Sequence, residues 1–109
     1  MSKAWKALER ATAATLGGKR HLRAHRGEPG PDVDLPDGSL LSVECKYRRT
    51  VPAIVRDGLA QAAANGGAGK VPLLVLKARG MRGALAVLSL ADLARLLAGN
   101  AMDSAGPSG

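Results

Sequence analysis

The residues best suited to chemistry lie in one short stretch, Leu41-Ser42-Val43-Glu44-Cys45-Lys46-Tyr47, where apolar and polar side chains alternate without a break. A period of two marks a strand with one face buried. Leu41, Val43, Cys45 and Tyr47 then share the core side, and Ser42, Glu44 and Lys46 the other, so a carboxylate and an ammonium stand side by side on a polar face. Upstream, Pro31-Asp32-Val33-Asp34-Leu35 alternates in the same way, and Pro36-Asp37-Gly38-Ser39 between the runs is a turn signature. Loop length decides whether Asp32 joins Glu44. A two-residue loop at Asp37-Gly38 sets Asp32 against Val43 and turns its carboxylate to the apolar side. A three-residue loop, Asp37-Gly38-Ser39, sets Asp32 opposite Glu44 and Asp34 opposite Ser42.

The odd-numbered loop is the expectation, because only it puts both carboxylates on one face. Carboxylates held that close repel unless a proton or cation intervenes, and hard divalent ions such as Mg²⁺ or Mn²⁺ prefer oxygen ligands. Lys46 beside them can orient or help deprotonate a metal-bound water and stabilise a phosphorane-like transition state. The chemistry expected is metal-assisted phosphodiester hydrolysis.

Several other side chains admit two readings. Glu9 lies between Lys6 and Arg10 on an amphipathic helix, where a surface ion pair is the ordinary fate of a carboxylate. Asp34 shares the face of Asp32 and is its substitute, or a solvated hairpin carboxylate. His21 and His25 suit phosphate contact or plain exposure better than a structural zinc site. Gln61 either points at the active centre from the second helix, as active-site support, or is an exposed helix residue. Cys45 faces the core as a small apolar residue. Lys19, Arg20, Arg23, Arg26, Arg48 and Arg49 cluster beside the candidate site and are expected to bind phosphates, with Arg79 and Arg82 as weaker sites of the same kind.

The elements that must position these residues follow from pattern. Ser2 can cap a first helix whose Trp5, Leu8, Thr12 and Leu16 fall on one inward face, ended by Gly17-Gly18. Residues 19–26 suit an edge strand before the Gly27-Glu28-Pro29-Gly30 turn. Pro52 suits the start of a second helix with a Val55, Leu59, Ala62 stripe, ending near Asn65-Gly66-Gly67. A strand Val71–Lys77, a glycine-rich turn, a strand near Ala84–Leu88 and a last helix through Leu97 follow, the last opened by Ser89 and Asp92 as a capping box. The fold class expected is α/β, with a mixed, mainly antiparallel central sheet flanked by helices. Residues 1–98 are expected to form a single domain, and 99–109 a disordered tail rich in Gly, Ala, Ser and Pro.

Composition bounds the function. The 109 residues carry a formal net charge of +7, which attracts polyanions, nucleic acid above all. The single Cys45 excludes an internal disulfide and any multi-cysteine zinc site within one chain, and suggests a cytoplasmic protein. No apolar run is long enough for a membrane span. Phe is absent and the aromatics are one Trp and one Tyr, so the core must be Leu, Val, Ile and Ala.

Pro31-Asp32, eleven intervening residues, then Glu44-Cys45-Lys46 resembles the PD-(D/E)XK pattern of restriction-endonuclease-like nucleases. Over about residues 3–97 the chain most resembles the small archaeal-type Holliday junction resolvases, a group that includes phage-encoded proteins. The resemblance rests on Glu9 in the first helix, the basic stretch after it, Asp32, Glu44-Cys45-Lys46, and a helix bearing Gln61 before an apolar strand pair. It implies a restriction-endonuclease-like core, metal ligation by Asp32, Glu44 and the carbonyl of Cys45, support of a second metal or its waters by Glu9, and water activation by Lys46. It also implies Mg²⁺, with Mn²⁺ as substitute, four-way DNA junctions as substrate and a homodimer, although the aromatic residues of the archaeal dimer interface have no counterpart here. Two rivals stand beside it: a phage or mobile-element nuclease acting on other branched or duplex DNA, and a non-catalytic basic DNA-binding module.

Overall fold

A computed structural model describes residues 2–21 and 30–105, so the expected strand beyond His21, and with it Arg23, His25 and Arg26, lies outside the described residues. The chain is a small mixed α/β protein, with three helices and two antiparallel strand pairs among the described residues. Its residues divide into two compact units, Met1–Arg48 and Arg49–Gly109. The single central sheet that the patterns suggest is instead described as two separate two-stranded sheets, one in each unit.

In the first unit, helix α1 (Ser2–Leu16) ends where Gly17 takes φ +76°, a conformation costly for any side chain. The Gly18 amide then bonds the Ala13 carbonyl at 2.8 Å, closing the last turn in a Schellman motif. Strands β1 (Lys19–Arg20) and β2 (Val33–Asp34) pair antiparallel, Lys19 with Asp34 and Arg20 with Val33. Gly18 is required at the junction: a Cβ there would lie 2.3 Å from the Asp34 carbonyl oxygen. Helix α1 packs on both strands, and the core is small: Ala13 and Val33, with Glu9, Thr12 and Asp32 as buried polar partners. Trp5 departs from the inward face expected of it. Small Thr12 and Ala13 let the helix approach the strands closely, while the indole one to two turns earlier stays 40% exposed.

The hairpin beyond β2 turns through Pro36–Ser39, with the Ser39 amide on the Pro36 carbonyl at 3.1 Å and Gly38 at φ +91°. Val43 then bridges antiparallel to Val33. That bridge is the only described pairing of the Leu41–Tyr47 segment, and Tyr47, expected in the core, is 56% exposed.

In the second unit, helix α2 (Ala53–Gly66) starts after Pro52, whose carbonyl accepts the Val55 amide at 3.0 Å. Its Val55, Leu59 and Ala62 are half-buried, as their spacing predicts, and α2 packs on β3. Strands β3 (Leu74–Leu76) and β4 (Leu85–Val87) pair antiparallel, with Val75 opposite Ala86. Helix α3 (Leu90–Ala105) opens on a Ser89 cap, whose hydroxyl accepts the Asp92 amide at 3.1 Å. It continues past the expected end at Leu97, so the tail expected from Gly99 begins inside a helix. Ala98, Ala101 and Met102 favour helix, and no proline intervenes before Pro107. No described residue of this second unit is fully buried.

Candidate functional site

The hairpin supplies the site. Val33 stands opposite Val43, from which a regular ladder would set Asp32 opposite Glu44 and Asp34 opposite Ser42, the arrangement of an odd-numbered loop, but the bridge is isolated among the described residues. The pairing is irregular, because the Asp32 amide donates to the Val43 carbonyl at 2.9 Å, one residue off that register. Asp32 is firmly held. Its carbonyl accepts the His21 amide at 3.0 Å, and its Oδ2 accepts the Cys45 amide at 2.5 Å. Its side chain is largely buried, so of the two carboxylates only Glu44 stands in solvent.

Glu44 meets Lys46 at 3.5 Å, the i and i+2 neighbours that strand geometry brings to one face. Both are more than 60% exposed, so this pair contributes little to folding and is free to exchange partners. Cys45 points the other way: its half-buried thiol donates to Thr12 Oγ1 on α1 at 3.6 Å. The face that carries Val33 and Cys45 is thus the one against α1, and Glu44 and Lys46 look away from it.

Glu9 has a different setting from the surface pair its neighbours suggest. It is buried on α1, and its Oε1 accepts Arg20 Nε at 2.7 Å. Arg20, expected to bind phosphate, is thereby committed to an internal pair, and its guanidinium also lies 5.6 Å from the Trp5 ring centre. On the neighbouring strand, Asp34 holds His21 Nδ1 with both oxygens, at 2.8 and 2.9 Å. Neither pairing is evident from spacing: Glu9–Arg20 depends on how β1 folds back on α1 beyond Gly17-Gly18, and His21–Asp34 on how β1 aligns with β2.

Among the cationic candidates, Lys19, Arg48 and Arg49 are exposed, and Arg48 Nη1 bonds the Tyr47 carbonyl at 3.0 Å. Gln61 is exposed on α2, in the other unit. Arg79 and Arg82 are exposed around the turn that Met81 closes on the Ala78 carbonyl at 3.2 Å.

Among the described residues no three His, Cys, Asp or Glu side chains gather closely enough to hold a metal ion. The arrangement offers instead a buried Asp32 carboxylate on the Cys45 amide, an exposed Glu44 next to Cys45 in the chain, one lysine beside Glu44, and cations along the following segment. Among the described residues no helix is long and apolar enough to cross a membrane. No protein-family model, curated protein or solved structure matches the chain.

Proposed function

We propose that the chain is a metal-dependent DNA endonuclease of the PD-(D/E)XK type, with Asp32, Glu44 and Lys46 as its reactive centre and a four-way DNA junction as its substrate. The observation that carries this reading is the hairpin itself: Val33 bridges Val43, the Asp32 carboxylate accepts the amide of Cys45, the residue between Glu44 and Lys46, and Lys46 reaches Glu44 at 3.5 Å. The corresponding fold is a restriction-endonuclease-like core, for which α1, the β1–β2 pair and the hairpin supply the catalytic part.

The donor set suits the ion. Mg²⁺ is commonly bound through one or two carboxylates, with its other positions left to water and substrate phosphate, so Asp32 and Glu44, with the Cys45 carbonyl between, fit as ligands without a third acidic side chain. Mn²⁺ can substitute. When bound, the ion supplies positive charge at the attacked phosphate and eases ionisation of the attacking water. Asp32 is held rigidly by backbone bonds on both sides, which keeps its carboxylate in place. Lys46 donates hydrogen bonds to the phosphate as negative charge builds during attack. Glu9 supports the centre from α1 by fixing Arg20, and Lys19, Arg48 and Arg49 bind the flanking phosphates. A four-way junction has two scissile strands related by a two-fold axis, so a chain this small acts as a homodimer.

The test is cleavage of an immobile four-way junction beside nicked, flapped and duplex DNAs, with Mg²⁺, Mn²⁺, Ca²⁺ or EDTA. Mg²⁺-dependent cutting of the junction that folded Glu44→Gln and Lys46→Ala variants lose, while still binding DNA, supports the reading. Cutting confined to the other DNAs favours a phage or mobile-element nuclease. The exposed Glu44–Lys46 pair also suits a plain solvated ion pair on a basic DNA-binding module. Variants that cut at the parent rate, or a parent that cuts nothing, leave that second reading in place.

A further inference from the structure

The chain has only two aromatic residues, Trp5 and Tyr47, and both stand on the surface at 40% and 56% exposure. A protein without Phe, whose buried apolar residues among those described are Ala13 and Val33, has every energetic reason to bury such rings. Cations accompany both instead, around the Trp5 ring in space and beside Tyr47 in the chain. Lys6 Nζ and Arg20 Cζ each lie 5.6 Å from the Trp5 ring centre. Tyr47 sits between Lys46 and the Arg48-Arg49 pair, with Arg48 bonded to its carbonyl. Arg20 is anchored by Glu9 and so steadies the indole, whereas Lys6 is a flexible side chain that an incoming group can displace.

Rings flanked by positive charge are how proteins hold nucleic acid that has left the double helix: the cations take the phosphates and the rings take the faces of the bases. A duplex offers no such faces, because its bases are stacked on each other. We propose that Trp5 and Tyr47 are stacking surfaces for unpaired bases, so that the DNA engaged here exposes unpaired bases where it is bound, with Tyr47 receiving a base directly beside Lys46. The proposal rests on the DNA-binding part of the reading above and does not depend on cleavage.

The test is made in EDTA, where no cutting competes. Trp5 is the only tryptophan, so emission reports on that indole alone. Titration with oligo(dT), with a hairpin duplex of equal phosphate number, and with an abasic oligomer of the same length separates stacking from charge. Oligo(dT) is expected to quench the emission, and the duplex and abasic oligomer to leave it unchanged. Tyr47→Ala should weaken oligo(dT) binding about 5- to 150-fold, the equivalent of about 1–3 kcal/mol for one stacked base, and leave duplex binding within about twofold. Tyr47→Phe, and Trp5→Phe as a variant that keeps a ring beside Arg20, should bind oligo(dT) like the parent. Unquenched emission, or a Tyr47→Ala effect that is absent or equal for single strand and duplex, overturns the proposal. Glu44-dependent junction cutting that survives such a result leaves the nuclease reading standing, and quenching without any cutting in Mg²⁺ leaves this proposal standing without it.

Discussion

The buried pair between Glu9 and Arg20 gives the clearest way to separate a structural acid from a catalytic one. Glu9→Ala strands a guanidinium that is 26% exposed against a site where the carboxylate was 5% exposed. Removing one partner of a fully buried pair costs about 3–5 kcal/mol. Water reaching Arg20, and its remaining contact with Trp5, reduce that to about 2 kcal/mol here. Glu9→Gln keeps one acceptor oxygen and should lose about 1 kcal/mol. In a small domain each kcal/mol lowers Tm by about 4–8 °C, so Glu9→Ala should melt about 10 °C below the parent, read by the emission of Trp5 beside the pair. Adding Arg20→Met completes a double-mutant cycle. A coupling below about 0.5 kcal/mol would refute the structural assignment. A Glu9→Gln protein as stable as the parent yet unable to cut DNA would place Glu9 at the reactive centre instead.

Gly18→Ala should cost more than about 2 kcal/mol in urea denaturation, because the new methyl meets the Asp34 carbonyl at 2.3 Å and backbone cannot step aside. Gly58→Ala should cost less than Gly18→Ala by the same measurement: its Cβ would meet the Leu74 side chain, both methyls at 2.7 and 2.9 Å and Cγ at 3.3 Å, which can shift as backbone cannot, and helix propensity offsets the contact by about 1 kcal/mol. Ser89→Ala removes the cap bond to Asp92 and should lower stability by about 1 kcal/mol, measured by the same unfolding curves. Arg48→Ala with Arg49→Ala should weaken DNA binding and flatten its salt dependence more than it lowers the cleavage rate at saturating DNA, which binding isotherms and single-turnover kinetics check.

What could be read from residue order was whatever local rules determine. Gly17-Gly18 as a stop, Pro52 as a start, the Ser89 cap and the half-buried stripe of α2 each follow from one side chain or a short periodicity. The Val33–Val43 bridge was legible for a related reason, since two apolar residues facing each other across this turn require an odd loop, but the Asp32 amide on the Val43 carbonyl takes the pairing off that register one residue on. The pairs that depend on long-range register were not legible. Arg20 reaches Glu9 only because β1 folds back onto α1, and His21 reaches Asp34 only because β2 returns beside β1 with one alignment, and nothing in the run from Lys19 to Arg26 determines either. The aromatic rings were misplaced by their own hydrophobicity. Periodicity assigns Trp5 and Tyr47 inward, whereas the close approach permitted by Thr12 and Ala13 leaves little room for an indole, and the segment beyond Cys45 carries no further described pairing to hold Tyr47 down.

All five buried residues among those described, Glu9, Thr12, Ala13, Asp32 and Val33, belong to the first unit. The free energy of opening is therefore uneven along the chain. Backbone amides of α1 and β2 should exchange with solvent through the rarest openings, and those of α2, β3, β4 and α3 through more frequent ones. A melt then has no obligation to be two-state: Trp5 reports only the first unit, while far-UV ellipticity is dominated by helices in both, so the two curves separate if the second unit lets go first. The same asymmetry directs proteolysis, which would trim the second unit from a chain whose hairpin, with Asp32, Glu44 and Lys46, is still in place.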